Sequence, residues 1–480
     1  MTGRNQRINA STNQCERRLS LLSLGLWLVG SLARSLSLTG WLVGSLFLSL
    51  TLLAPATAFC QAEVKTMTLD QALAIAMERN RDVQSAVEYR KWVMGKYVEE
   101  RAAALPHFTL NGSGGRFSDE SMLALYPPQY RDFFPPQQDI YSGDVSFSQV
   151  LFTWGQVGAA IRAAKIGLED AEDQLRLYQQ AARRDVTAAF YDVLLAKELN
   201  AIAAENLAQK ERHFDEAQKK YDLGTATDYD VLAARVAVEN ARPDVIQTAN
   251  NVRTAKERLR FLLADPAPEV DAVGTLEPGT PMQTEYAAAV AEALKYRPEV
   301  NDLEHRAQIA KELVSIAKAG DKPRLDLKAD YGWRKFLIPG TFGTIDTHGP
   351  FWNAGLYLSF PVFDGLRTRG QVVQARSDQT RVDIQAAKAR DAVAVEVRVA
   401  LDAAQEADEI QKALSGTAQQ AEKLLQMSEK GFEYGVKTKL DVDEAQLNVR
   451  MAKGNLARAK RDALVAQTNL LWVQGVLGEK

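Results

Sequence analysis

The pattern of apolar and polar positions changes along the chain in a fixed order, and that order occurs twice. A helical stretch comes first, over about 69–104 and again over 285–319. Strict alternation follows. Leu325, Leu327, Ala329, Tyr331 and Trp333 alternate with Asp326, Lys328, Asp330 and Gly332. Trp352, Ala354, Leu356, Leu358 and Phe360 alternate with Asn353, Gly355, Tyr357 and Ser359. Period two predicts strands with one apolar face. The first half carries weaker versions, in Phe108 and Leu110 around Thr109, and in Val145, Phe147, Gln149 and Leu151 around Ser146, Ser148 and Val150. Each strand segment spans about 9–11 residues, the length that crosses a bilayer when tilted, with a loop between the two.

Two proline-free segments come next, Gly155 to about Asp222 and Gly365 to about Glu433, rich in Ala, Gln, Glu, Lys and Arg. At about 1.5 Å rise per residue each predicts a rod of roughly 100 Å. A rod with a narrow apolar stripe needs partners, as in a coiled coil. Each rod ends at a glycine, Gly224 or Gly435, and the chain returns as a second helix. Pro243 and Gly454 occupy matching points of the return helices and predict a bend at one height. A tolerated surface glycine is the other reading of Gly454.

The two halves align residue by residue. Asp82-Val83 matches Glu299-Val300, and Pro106 matches Pro323. Further on Phe152 pairs with Phe363, Gly224 with Gly435, Asp230 with Asp441 and Leu259 with Leu470, at a spacing six residues shorter. A constant spacing over such a length predicts duplicated structural units. The division is therefore a first repeat over 63–264, a proline-rich linker over 265–284 and a second repeat over 285–480. The spacing changes between Pro106 and Phe147, where the first repeat carries Pro127-Pro128 and Pro135-Pro136.

Residues 1–58 read as a signal peptide, with Arg17-Arg18 before a long apolar stretch and small residues after it. Cleavage is expected after Ala58 or Ala62. An uncleaved signal anchor and a lipidated Cys60 are the alternatives, the second disfavoured by bulky Phe59. The stretch contains a near-duplication, Trp27-Leu28-Val29-Gly30-Ser31-Leu32 and Trp41-Leu42-Val43-Gly44-Ser45-Leu46. No later apolar run reaches membrane-helix length, so any later crossing must use strands.

Composition removes most other classes. The net charge of −3 comes with no basic stripe, so nucleic acid is not an expected partner. Two cysteines, Cys15 and Cys60, offer neither a disulfide framework nor a thiolate metal site. The four histidines are far apart in sequence, and the acids lie along helices where charge is ordinarily solvated. No catalytic, metal or cofactor constellation emerges, and the chain is not expected to be an enzyme.

Four membrane-length strands cannot close a barrel, since the smallest transmembrane barrels have eight. Open edges in lipid leave backbone groups unsatisfied. Several chains must pool their strands, or the strands are soluble. A periplasmic coiled-coil scaffold is the alternative, and it explains the rods but not the alternating strands. At this point the residues resemble the TolC-like outer membrane efflux proteins, across nearly the whole mature chain. The resemblance rests on Phe147-Ser148-Gln149-Val150-Leu151-Phe152, on Leu358-Ser359-Phe360-Pro361-Val362-Phe363-Asp364-Gly365, and on two hairpin tips. The tips are Tyr221 to Leu232 and Phe432 to Val442.

The resemblance implies a mixed α+β membrane protein, a homotrimer with a twelve-stranded barrel in the outer membrane of a Gram-negative bacterium. It also implies an α-helical barrel that crosses the periplasm and meets an inner-membrane pump through a periplasmic adaptor protein. Pump and adaptor choose the cargo in such systems, so no exported substrate is legible. Asp441 and Glu444, three apart at the start of a return helix, share one face. The resemblance puts them at the periplasmic entrance as stacked rings, where crowding is expected to raise their pKa values and attract cations. Simple placement of acids at a helix N-terminus is the other reading. Asp230 and Lys437 match positions that join neighbouring hairpins and hold the entrance shut. Phe432 stands where the best-known member has a tyrosine of that network, and it cannot donate a hydrogen bond. Gly224, Thr225, Gly435 and Val436 are expected adaptor-docking tips, and Trp333, Phe351 and Trp352 an interfacial girdle against outer-membrane lipid. Trp154 is equally well explained by packing.

Overall fold

The computed structural model describes residues 65–121, 127–133, 137–267, 269–279, 284–340 and 343–478. The leader, its cleavage points and Cys60 lie outside the described residues. The first helical stretch is two helices, α1 (Leu69–Arg79) and α2 (Arg81–Ala102). Asn80 separates them because its side chain is better used as a cap. It accepts from the amides of Asp82 (2.9 Å) and Val83 (3.2 Å) and donates to the Leu262 carbonyl. The matching stretch in the second half breaks at the matching residue, Arg297. There Pro298 opens the new helix, which suits proline's missing N–H. The pieces are α5 (Tyr286–Tyr296) and α6 (Pro298–Lys318).

The strands are β2 (His107–Ser118), β3 (Gln137–Phe152), β5 (Arg324–Gly340) and β6 (Gly343–Ser359). They form one antiparallel sheet in the order β2-β3-β5-β6, with β2 and β6 at its edges. Their 12, 16, 17 and 17 residues exceed the expected 9–11. Where a loop was expected between 334 and 351, the ladder continues from Arg334↔Gly349 to Gly340↔Gly343. The glycines and prolines of this segment read as breakers in sequence. Pairing overrides them, and Pro350 lies on the edge strand β6, where proline is tolerated.

Strand gives way to rod through a corner that repeats in both halves. Trp154 and Gly155 have φ of +51° and +81°, and Gly365 and Leu366 have +67° and +68°. One residue of each pair is not glycine and accepts strain of about 1–2 kcal/mol. The rods α3 (Gln156–Asp222) and α7 (Arg367–Glu433) have 67 residues each. The return helices are α4 (Asp228–Leu263) and α8 (Lys439–Val473). α4 packs on α3, α8 on α7, and α8 also on α3, so the lateral order is α4–α3–α8–α7. α4 continues as a helix through Pro243. Gly454 is no surface glycine: it is buried, facing the Leu199 side chain on α3.

The core sits midway along the rods. Leu259, Leu263, Val186 and Val193 are fully buried with Ala72 and Ala76 of α1. Val397, Leu401 and Leu470 do the same with Ala289 and Ala293 of α5. Each large aliphatic side chain buried this way stabilises by about 1.5–3 kcal/mol. The linker is pinned to this level. β4 (Val270–Ala272) pairs in parallel with β1 (Lys65–Met67), and the Lys197 ammonium donates to the Ala272 carbonyl at 2.7 Å.

One buried acid lies between α3 and α6. Asp170 accepts from Gln174 at 3.1 Å through one carboxylate oxygen, while the other finds no donor among the described residues. Burial, then the neighbouring Asp302, pushes its pKa up to about 7.

Candidate functional site

The two hairpin tips use one backbone design. α3 ends through Gly224 and α7 through Gly435, both at φ +73°, a conformation that favours glycine. The amide and hydroxyl of Thr225 both donate to the Lys220 carbonyl, at 2.8 and 2.9 Å. In the second tip the amides of Val436 and Lys437 donate to the Gly431 carbonyl, at 2.8 and 3.0 Å. Each return helix then opens with a Thr-x-x-Asp capping box. Thr227 donates to the Asp230 carboxylate through N–H (2.9 Å) and hydroxyl (2.7 Å). Thr438 does the same to Asp441, at 2.8 and 2.7 Å. Leu223, Tyr229, Tyr434, Val436 and Leu440 project into solvent around these turns, each three-quarters or more exposed.

Asp441 and Glu444 lie on the first turns of α8, as the spacing predicts, with Glu444 exposed. The expected rise in pKa is reversed for Asp441 within one chain. Its carboxyl is held down at about 2, by the hydrogen bonds from Thr438 and then by Lys437. An ionised carboxylate accepting several bonds is stabilised as the anion, and no second carboxylate of this chain crowds it enough to oppose that. Asp230 is likewise lowered, by its two bonds from Thr227.

Lys437 and Asp230 are not brought together within the chain. The Lys437 ammonium, in the turn just before the Thr438 cap, pairs with Asp441 at 3.3 Å. Its stem lies over Gly431, where a Cβ would sit 2.6 Å from Lys437 Cγ. Phe432 lines a cavity of about 380 Å³ between the hairpins, together with Asp230, Glu429, Lys439 and Asp443. In the first tip the equivalent of Phe432 is Tyr221, whose pKa is raised by its hydrogen bond to Asp228. Sequence reading missed His213 and Gln446, which meet at 3.1 Å between α3 and α8 just above this cavity. Their 233-residue separation left no local signal.

The sheet presents two unlike faces. Leu110, Val145, Tyr331 and Trp352 stand in one cross-strand row, beside Phe108, Phe147, Ala329 and Ala354 in the next. On β5 this apolar band runs from Leu325 to Trp333, eight steps or about 26 Å at ~3.3 Å each. The next row is Lys335 and His348, so the tryptophans end the band while the strands run on. The other face is polar, with Asn111 donating to Asp144 (2.9 Å) and Ser113 bonded to Ser142 (2.8 Å). Phe351 is a correction to the expected girdle. It pairs with Gly332 and so points to the polar face, where the Arg334 guanidinium lies 4.4 Å from its ring centroid. Successive strand residues point to opposite faces, so Phe351 cannot join its neighbour Trp352.

A sheet with a lipid-compatible band, continued by paired rods of roughly 100 Å, defines a membrane duct with a long helical extension. The chain belongs to the outer membrane efflux protein family, whose model matches residues 72–265 and 289–476. It is 25% identical over 439 residues to the outer membrane protein TolC of Escherichia coli K12, covering 89% of this chain and 85% of that one. It is 26% identical to the alkaline protease secretion protein AprF of Pseudomonas aeruginosa, covering 84% of each. Among solved structures, a membrane protein from Pseudomonas aeruginosa superposes with a TM-score of 0.74 at 21% identity, covering 85% of this chain and 93% of that one. The protein is an outer-membrane exit duct of the efflux and secretion type. Its family is one of channel and transport proteins, and a periplasmic scaffold would have no use for the exposed aromatic band.

Proposed function

We propose that three copies of the chain close a twelve-stranded barrel in the outer membrane and continue it as an α-helical tube through the periplasm. The observation that carries this reading is the sheet itself. Its edges β2 and β6 both lack a partner strand among the described residues, although one face carries a membrane-height apolar band. Four strands cannot close, and an open edge in lipid costs several kcal/mol per unsatisfied group. The rods support the same count of uncovered sides. α4 and α7 flank the row of helices, and each bears exposed aliphatics, Leu232, Val236 and Ile246 on one, Val395, Val399 and Ile410 on the other. Packing α4 of one copy on α7 of the next covers both.

In this assembly Trp333 and Trp352 mark one interface with outer-membrane lipid. The exposed tips around Gly224-Thr225 and Gly435-Val436 engage a periplasmic adaptor and, through it, an inner-membrane pump. Asp441 and Glu444 ring the entrance, and Asp230, Lys437 and Phe432 contribute to its closure between hairpins. Native mass spectrometry of the detergent-extracted protein tests the assembly. A trimer that collapses to monomers on heating with loss of β-structure is expected. A stable monomer with full β-content overturns it.

A further inference from the structure

His213 sits on α3 about two and a half turns before the first tip, half-buried against α8. Its Nε2 is 3.1 Å from the side-chain nitrogen of Gln446, which is buried. The orientation of Gln446 is dictated by a third residue. The Lys210 ammonium lies 3.2 Å from Gln446 Oε1 and 3.0 Å from Asp443 Oδ1. An ammonium can only donate, so the amide must turn its oxygen to Lys210 and its N–H to His213. His213 Nε2 must therefore accept, and the ring is neutral with its proton on Nδ1, toward Glu216 at 3.8 Å.

Protonating this ring breaks the arrangement whichever way Gln446 turns. In the present orientation two N–H groups face one another. After a flip, the amide N–H₂ faces the Lys210 ammonium instead. The charges around the ring do not relieve this. Lys210, Glu216 and Lys220 face it from α3 and Lys439 and Asp443 from α8, while Asp230 of α4 and Glu429 of α7 line the same cavity. Burial, with Lys439 and Lys210, holds the imidazole below its ordinary pKa, so the neutral form prevails at neutral pH. Two cavities of about 380 and 290 Å³ adjoin the ring, one on the Phe432 side and one on the Tyr229 side. They offer it room to leave Gln446.

We propose that His213 is an acid-operated latch that holds the first hairpin to the second while neutral and releases it on protonation, favouring an open entrance as the periplasm acidifies. The inference rests on the reading of the tips as the entrance of the duct. Only one latch exists per chain, because the residue equivalent to His213 in the second half is Leu424.

The test pairs ion conductance of the reconstituted protein with the distance between spin labels at Leu223→Cys and Tyr434→Cys, at about pH 7.5 and about pH 5. The wild type should conduct about threefold or more better at the lower pH, with the label separation increasing. His213→Gln keeps an acceptor for Gln446 but does not titrate, and it should abolish both changes. Gln446→Glu supplies an acceptor for the protonated ring, so the hairpins should stay together in acid. A His213→Gln protein that keeps the wild-type response, or wild-type labels that do not move, overturns the latch. Labels that move in a protein that never conducts would instead overturn the duct reading and leave the latch standing.

Discussion

The two hairpin tips share a backbone and differ in nearly everything attached to it. Both turn at a glycine with φ +73°, and both return helices start with the same Thr-x-x-Asp box. The first tip is closed by its own hydroxyls, Thr225 to the Lys220 carbonyl and Tyr221 to Asp228. The second has Val436 and Phe432 at those positions and can make neither bond. It gains Lys437 and Lys439 where the first has Ala226 and Asp228. The first tip thus closes through its own hydroxyls, while the second carries two further cations, one of them, Lys437, paired with Asp441. A duplicated frame constrains the main chain, which must satisfy its N–H and C=O groups the same way twice. Side chains that project past the frame are free to diverge, and there the two halves differ.

The strongest way to sharpen this comparison is at mid-rod, where the halves should still behave alike. Leu259→Ala and Leu470→Ala remove equivalent, fully buried side chains, and each should destabilise by about 2–5 kcal/mol in thermal melts. A large loss for one and none for the other would mean the halves differ in their core as well. At the tips the responses should diverge. Asp441→Ala combined with Glu444→Ala is expected to lower the cation-over-anion permeability ratio by about tenfold, and Asp230→Ala to leave it unchanged. Equal effects from both sides would break the assignment of the acidic rings to the second hairpin alone.

The caps should again be equivalent. Thr227→Ala and Thr438→Ala each lose a cap bond and should cost about 0.5–2 kcal/mol of helix stability. Their pH signature has a definite sign. Asp230 and Asp441 are lowered in the folded chain, so their stabilisation is present above the ordinary carboxyl range. It is lost as pH falls from about 4 toward 2 for Asp441. Asp170 acts oppositely: raised to about 7, it favours the folded state in acid and loses that contribution as pH rises from about 4 through 7. Asp170→Asn should therefore flatten melting temperature over that range, and a slope that survives the substitution would place its origin elsewhere. The smallest effect belongs to Lys437→Ala, which frees an exposed pair and should raise conductance by about twofold or less, leaving selectivity intact. A drop in selectivity would show that Lys437 sets the field of the lumen as well as its closure.

Much of this architecture was legible along the chain because its determinants are local. Period-two alternation named the apolar residues of β5 and β6, and the absence of proline over 67 residues named the rods. Glycine at the turns named the tips, since only a residue without Cβ takes φ +73° without strain. Local signals misjudged the strand ends, where Gly340, Gly343 and Pro350 look like breakers until a partner strand supplies the ladder. They also misjudged Phe351, grouped with Trp352 by proximity in sequence although the pleat separates them.

The sequence by itself determined which elements form, in what order and how often, because spacing and backbone preference act over a few residues. Tertiary structure alone decided the protonation state of individual groups. Asp170 and Asp441 are the same residue type on similar helices, yet burial beside Asp302 raises one while Thr438 and Lys437 lower the other. His213 accepts a hydrogen bond only because packing α8 on α3 brings Gln446 and Lys210 to it. Charge and hydrogen bonding depend on distance in space, and residues more than two hundred apart in the chain acquire that distance only when the helices pack.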